Sequence, residues 1–336
     1  YGVAALIAPY DVLKAPLAIV AALALGVSPS LDYQGGAAAF LGHRAPFYLR
    51  FHGGEGIAPL AGIALFSLAM LVRQDPSFAA VLGPLLALMA IVFFARMRQK
   101  PSWLFVFVFL PLVANAALLD QGIGVHSGAL LAVALYIVGH RIWQLLEPKL
   151  AVMPAPERTL LRRKWLRPLA VAFPLGVLWA RTPTLIVLGA ALAVFATAEA
   201  LRFRSRYQRF PLPYRQSERE RISSMVMFLL GAFLTLAFVP TEIASLAVLF
   251  LIFGDLLAWC IGQTVGGPGF LDKTWAGTTA CLLACVTLAS LYSALGLVPL
   301  PVGLLGAVCA TAVEAAPIHD DNFVVPVFSA VAMALV

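Results

Sequence analysis

Charged side chains are scarce in this sequence, and the scarcity excludes more than any motif does. Asp, Glu, Lys and Arg make up 12% of the 336 residues against 62% hydrophobic, and mean hydropathy is +0.93. A soluble domain carries roughly 25% charged residues, so a water-soluble globular fold is ruled out. Cysteine is rare too. Cys260, Cys281, Cys285 and Cys309 all fall in apolar stretches, without the C-x-x-C spacing of a zinc or redox site. Cys281 and Cys285 share a helix face and read as small packing residues. No segment interleaves aromatic with basic residues in the RNA-binding manner, so the net charge of +7 points to anionic headgroups and phosphates rather than nucleic acid.

Long apolar runs are what the chain has in abundance. A spanning helix needs about 20 mostly apolar residues. Hydropathy predicts about thirteen such runs, roughly 4–26, 33–49, 57–73, 78–95, 101–119, 127–146, 168–181, 184–201, 223–239, 242–262, 276–296, 301–317 and 323–336. The second, seventh and thirteenth are short. The expected fold is all-α, a polytopic integral membrane protein in two bundles. The first run carries Asp11 and Lys14 and lacks a basic leader and a small-residue cleavage site, so it reads as a mature span rather than a signal peptide. If the runs alternate from a cytoplasmic start, every Lys and Arg except Lys14, Arg73 and Arg181 falls on one side. The positive-inside rule makes that side the cytoplasm. The expected location is a bacterial inner membrane, with the site motifs on its cytoplasmic face.

The longest polar interval runs from about Glu147 to Arg167 and holds Pro148, Pro154, Pro156 and the basic run Arg162-Arg163-Lys164. Proline and charge together fit a connector between bundles, which sets a boundary near residue 155 and domains at 1–149 and 155–336. A second basic segment, Arg202 to Arg221, reads either as a functional loop or as a solvated one that only enforces topology.

Between the second and third runs lies His43-Arg44-Ala45-Pro46, then Phe51-His52-Gly53-Gly54-Glu55-Gly56. Gly53, Gly54 and Gly56 let backbone N–H groups converge on an anion beside the next helix N-terminus. A tight re-entrant turn without ligand is the alternative. The stretch resembles the second signature of the bacterial glycerol-3-phosphate acyltransferases that use acyl phosphate, roughly G-H-x-F-P followed by F-K-G-G-K-G-V-A-T. Asp11-Val12-Leu13-Lys14 is similar to that family's D-x-x-K. The resemblance covers about residues 1 to 149, and it implies an acyltransferase-like membrane domain. Two lysines of the pattern are here His52 and Glu55, and Pro59 replaces the threonine. The family's third signature survives as His140-Arg141 and Glu147. A glutamate in place of lysine turns attraction for phosphate into repulsion, so the implied domain is degenerate.

In the second half, carboxylates recur where they are costly beside lipid. Gly254-Asp255 leads through Ala258, Gly262 and Gly266 to Lys273-Thr274 and Gly277-Thr278, and Glu314 precedes Asp320-Asp321-Asn322. Phosphoryl transfer needs carboxylates for a divalent metal, a cation for the moving charge and amides for phosphates. Span alternation brings both clusters to one side of the membrane. For Glu314 alone an interhelical hydrogen bond or ion pair is the alternative, and for the Asp pair a solvated turn.

The order of these residues resembles the dolichol, phytol and polyprenol kinases, relatives of the CDP-diacylglycerol synthases. Their pattern is G-D-x-x-A-x-x-x-G, then K-S/T-x-x-G-S/T, then Glu before D-D-N and a proline, here Pro326. Glu199-Ala200-Leu201-Arg202 is similar to their E-x-x-R step. The resemblance implies transfer of the gamma-phosphate of CTP to an isoprenoid or related lipid alcohol. Asp255, Asp320 and Asp321 would bind Mg2+. Lys273, Gly262, Gly266, Thr274, Gly277 and Thr278 would hold phosphates, Asn322 would orient one, and Asp255, Lys273 and Glu314 form the catalytic set. Where the family has R-K-x-x-H, this chain has Arg163-Lys164-Trp165-Leu166-Arg167. Arg cannot act as a general base, which leaves Glu314 or one of the Asp pair. Cytidylyl transfer to a lipid phosphate, or a silent membrane subunit, are the other readings. The implied partners are a membrane lipid substrate and a nucleotide, with a homodimer or larger membrane assembly left open.

Overall fold

The structure is a computed structural model that describes residues 2–28, 32–47, 50–75, 101–119, 124–152, 167–205, 221–265, 268–271, 273–317 and 320–336. Apart from one short hairpin, its elements are helical, and the chain is an all-α polytopic membrane protein. Among the described residues, four helices are long and apolar enough to cross a membrane, and six more apolar helices are shorter. The expected fourth run, 78–95, lies outside the described residues, as do most of the connector (153–166) and of the second basic segment (206–220).

The chain divides into two units, Tyr1–Arg141 and Ile142–Val336. The division falls inside the helix in which the sixth apolar run continues to Val152. Unit 1 contains α1 (Gly2–Ala24), α2 (Tyr33–Arg44), α3 (Ile57–Gln74), α4 (Pro101–Leu119) and the start of α5 (Val125–Val152). The second expected span is corrected here. At 12 residues α2 rises only about 18 Å, short of the roughly 30 Å of a bilayer core, and it stops where Ala45-Pro46 cannot continue the helix. Small residues let the helices approach closely. A side chain at Gly35 would strike the Ala18 carbonyl at 2.6 Å, and one at Gly62 would meet Pro16 on α1 at 2.8 Å. A buried polar knot joins three elements: the Tyr33 hydroxyl lies 2.7 Å from Ser67 Oγ and 2.8 Å from His126 Nδ1.

Unit 2 takes the rest of α5 and then a 3-10 turn (Arg167–Val171) and α6 (Ala172–Trp179), which occupy the expected seventh span. Next come α7 (Arg181–Ser205), α8 (Ser224–Phe238), α9 (Thr241–Leu249), a π-turn (Phe250–Gly254), α10 (Asp255–Val265), strands β1 (Gly269–Phe270) and β2 (Lys273–Thr274), α11 (Trp275–Ala294), α12 (Leu300–Ala315) and α13 (Asp321–Ala334). The core gathers Leu188, Leu236, Leu246, Phe250, Cys285 and Met333, and α9 is buried from Ala244 to Leu249. At its centre the Ser245 hydroxyl lies 2.6 Å from both the Pro174 carbonyl and the Tyr292 hydroxyl, so that buried polar group is satisfied.

Local chemistry sets the helix ends. Ser223 caps α8 by accepting from the Val226 amide at 3.4 Å. At its other end Arg181 donates to the Leu236, Ala237 and Val239 carbonyls at 3.1–3.3 Å, satisfying groups that a helix terminus leaves open. Between α9 and α10 the π-turn inserts about one residue, rotating α10 by roughly 100°. That rotation settles where Asp255 faces.

Glu199 and Arg202, three residues apart near the end of α7, form a buried pair at 2.5 Å. The same Glu199 oxygen accepts the Ser223 amide at 2.9 Å, and Arg202 donates to the Arg221 carbonyl at 2.7 Å, so the pair also fixes the entry to α8. Breaking a buried pair from one side costs about 3–5 kcal/mol. Glu199→Ala is therefore expected to lower the unfolding temperature of the detergent-solubilised protein by several degrees. An unchanged melting curve would show that the pair holds nothing in place.

Candidate functional site

Four helices of unit 2 and the short strand β2 bring their ends together around one cavity. The first residue of α10 is Asp255, β2 and the first turn of α11 supply Lys273 to Thr278, the last turn of α12 supplies Glu314, and the first turn of α13 supplies Asp321 and Asn322. Carboxylate oxygens of Asp255, Glu314 and Asp321 all lie within 4.8 Å of one another. Residues 255 and 321, distant in sequence, thus share one pocket. The Lys273 ammonium lies 3.1 Å from Glu314 and 3.5 Å from Asp321. Burial pulls the Lys273 pKa down, but the neighbouring Glu314 and Asp321 carboxylates outweigh it and hold the group above the ordinary 10.5. While those carboxylates are ionised, the stabilisation from this cation is present below the ordinary lysine value and is lost as pH rises through the elevated one.

The cavity measures about 310 Å3, at the small end of ligand sites. Its other walls are Ala258, Trp259, Gly262, Gln263, Thr274, Gly277, Thr278, Cys281, Thr311 and Ala315. Thr278 Oγ1 is buried in that wall with no hydrogen-bond partner among the described residues, an acceptor and donor open to a ligand. Three carboxylates are hard oxygen donors, a set that suits Mg2+ or Mn2+ better than a soft metal. The residues present therefore fit a divalent cation.

Asp320, expected as a metal ligand, is exposed at the N-cap of α13 and outside the carboxylate group, whereas Glu314 lies within it. The reason is helical geometry: of two adjacent acids only the one inside the first turn points at α12. Asn322 donates to Asp321 Oδ1 at 3.1 Å, which makes it a positioning partner of that carboxylate. The Thr274 hydroxyl accepts the Gly277 amide at 3.2 Å and so serves as N-cap of α11. Gly277 is glycine because a side chain there would strike the Ala258 carbonyl at 2.7 Å; it permits the α10–α11 approach while still lining the cavity. Gly262 faces Thr274 in the same way, and Gly266 lies outside the described residues. Trp259, Gln263 and Thr311 were missed by motif reading. The i, i+4, i+8 series Asp255, Trp259, Gln263 carried the signal for two of them.

In unit 1 the glycine loop folds back on the end of α2. The Gly54 amide donates to the His43 carbonyl at 3.1 Å, and Arg44 donates to the Gly54 carbonyl at 3.3 Å. The expected convergence of three amides on an anion is thereby revised, since that of Gly54 is committed to the turn. A side chain at Gly53 would strike the Arg44 carbonyl at 2.6 Å, and Gly56 adopts φ +80°, so both serve the fold of the loop. Glu55 is half exposed, its carboxylate 3.7 Å from His140 Nε2, and its carbonyl accepts from the Tyr136 hydroxyl at 2.9 Å. Lys14 contacts both Asp11, at 2.7 Å, and His43 Nδ1. The D-x-x-K pair and the G-H step, 29 residues apart, therefore form one cluster.

Residues 1–145 match the family described as Glycerol-3-phosphate acyltransferase. The chain is 34% identical over 136 residues to the glycerol-3-phosphate acyltransferase of Cupriavidus metallidurans, covering 39% of this chain and 61% of that protein. It is 31% identical over 115 residues to glycerol-3-phosphate acyltransferase 1 of Deinococcus radiodurans, covering 30% and 56%. A shorter stretch of 56 residues is 46% identical to glycerol-3-phosphate acyltransferase 4 of Dehalococcoides mccartyi, 17% and 30%. The chain thus spans less than two thirds of the relatives it matches. No solved structure matches it. The N-terminal domain is acyltransferase-like.

The cavity geometry predicts opposite effects from two substitutions. Asp255→Asn removes a donor and is expected to weaken Mn2+ binding to the purified protein at least tenfold. Lys273→Met removes a competing cation and is expected to strengthen it, roughly tenfold for the loss of one close charge. Equal Mn2+ affinities in the three proteins, read by electron paramagnetic resonance, would remove the cation site.

Proposed function

We propose that unit 2 is a lipid kinase domain, moving the gamma-phosphate of CTP to a membrane-embedded isoprenoid or related alcohol. The observation that carries the reading is the meeting of Asp255, Glu314, Asp321 and Lys273 in one cavity. Asp255, Glu314 and Asp321 would hold Mg2+, whose chemistry is to neutralise phosphate charge. Lys273 adds a fixed cation beside the transferred group, and the Thr278 hydroxyl a hydrogen bond. The alcohol oxygen forms a bond to the gamma-phosphorus, the bond from that phosphorus to the bridging oxygen breaks, and CDP departs with the electron pair. The alcohol proton passes to a carboxylate oxygen of the cluster that the cation would leave free, Glu314 being the most enclosed of the three. At about 310 Å3 the cavity suits the polar end of the reaction and leaves the hydrocarbon chain in the bilayer.

The test is purified protein with gamma-labelled CTP or ATP and a panel of phytol, polyprenol and diacylglycerol. Label is expected on a prenyl alcohol, with release of CDP and loss of turnover in Asp255→Asn. Release of pyrophosphate would assign the cavity to cytidylyl transfer, and absence of any nucleotide turnover would defeat the reading.

For unit 1 the name of the relatives points to acyl transfer onto glycerol 3-phosphate, and Glu55 opposes it. We infer a domain that retains the acyltransferase fold with weakened anion binding. Removing the repulsion should reverse this: Glu55→Lys is expected to raise affinity for glycerol 3-phosphate about tenfold or more. Unchanged affinity in equilibrium dialysis would mean that the loop is structural only.

A further inference from the structure

We infer that the Trp259–Gln263 side of the unit 2 cavity is a nucleobase subsite, the indole supplying a stacking face and the Gln263 amide a hydrogen-bonding edge. The inference rests on the proposal that the cavity takes a metal-bound polyphosphate, and it specifies what the other end of that ligand is.

Asp255, Trp259 and Gln263 stand four residues apart along α10, so they form one stripe, and all three line the same cavity. Eight residues of helix span about 12 Å. Along that distance the wall changes character. Near Asp255 it is ionic, with Glu314, Asp321 and Lys273 facing one another. Near Gln263 it offers a planar aromatic and an amide with both a donor and an acceptor. A simple phosphate or a bare cation has no use for the second half. A ligand with polyanion at one end and a flat heteroaromatic ring at the other matches both halves, and a nucleoside triphosphate is such a ligand.

The fold keeps this wall in reach. Gly262 lies between the two side chains, and a side chain there would close to 3.0 Å of Thr274 Oγ1, narrowing the passage along the stripe. Gln263 is exposed while Trp259 is half-buried, so this wall is more open at its Gln263 end. Tryptophan at a membrane boundary is also a common interfacial anchor. An anchor has no reason to share a wall with three carboxylates, and the two roles separate experimentally.

The experiment measures equilibrium binding to the full chain in detergent of three probes, Mg·CTP, Mg·ATP and Mg·tripolyphosphate, by calorimetry. The native protein should bind a nucleotide more tightly than tripolyphosphate. Trp259→Leu should weaken nucleotide binding tenfold or more and leave tripolyphosphate unchanged. Trp259→Phe should restore most of the loss, and Gln263→Leu should narrow the ratio between CTP and ATP. Failure of tripolyphosphate to bind the native protein would sink the polyphosphate site itself. Tripolyphosphate binding as tightly as the nucleotides, or a Trp259→Leu protein that binds nucleotides normally, would overturn the base subsite alone and leave Trp259 as an anchor.

Discussion

Three carboxylates within 4.8 Å of each other repel strongly unless something neutralises them, and in unit 2 that constraint organises everything around it. Glu314 is 5% exposed on an otherwise apolar helix. An uncompensated charge there would cost several kcal/mol. The Lys273 ammonium supplies compensation from a segment that is neither helical nor apolar. It can do so because β1 and β2 fold the α10–α11 connection back on itself, pairing Gly269 with Thr274 and Phe270 with Lys273. One cation among three carboxylates still leaves net negative charge. The site is thus balanced halfway, stable enough to fold and charged enough to attract a divalent cation.

Convergence of four helix ends requires close crossings, and small residues make them. Gly277 lets α11 approach the backbone of α10 at Ala258. One turn earlier Gly254 sits against the thiols of Cys281 and Cys285, where an added side chain would come within 2.9 and 3.2 Å. The cysteines therefore act as compact, polarizable filler, consistent with their position beneath the carboxylates rather than in any redox pair. The π-turn adds the last adjustment. Without its extra residue Asp255 would be carried about 100° around the axis, away from α12 and α13.

Much of this was legible in the sequence, and the limits are physical. Apolar run length located most helices, because burial of backbone polar groups leaves a membrane chain few other options. It overstated α2, since hydropathy continues through Phe47 to Leu49 while Pro46 ends the helix. Of the candidate site, Asp255, Lys273, Glu314 and Asp321 were found as residue types in order. Asp320 was grouped with Asp321 because sequence neighbours look equivalent, yet the start of α13 divides them, one exposed and one facing the cavity. Roles that depend on angles stayed hidden. Nothing in the letters distinguishes a glycine that faces a ligand from one that admits a close backbone contact, and Gly277 admits α10 while Gly53 admits the end of α2. The aromatic and amide on α10 were visible only as a period of four, with nothing in their chemistry to mark them until the cavity did.

The two units treat the same electrostatic problem in opposite ways. In unit 2 a lysine is held among acids, 3.1 Å from Glu314 and 3.5 Å from Asp321. In unit 1 the loop position where the acyltransferase pattern carries lysine holds Glu55, 3.7 Å from His140. Glu55 remains half exposed, where water screens it. The substitution is therefore tolerated by the fold and costly chiefly to anion binding. Lys14 does not make good the loss, since its ammonium is already engaged by Asp11 and His43. The turn itself is held by packing rather than by charge: Gly53 lies against the Arg44 carbonyl, the Gly54 amide donates to the His43 carbonyl, and Gly56 supplies a φ of +80°.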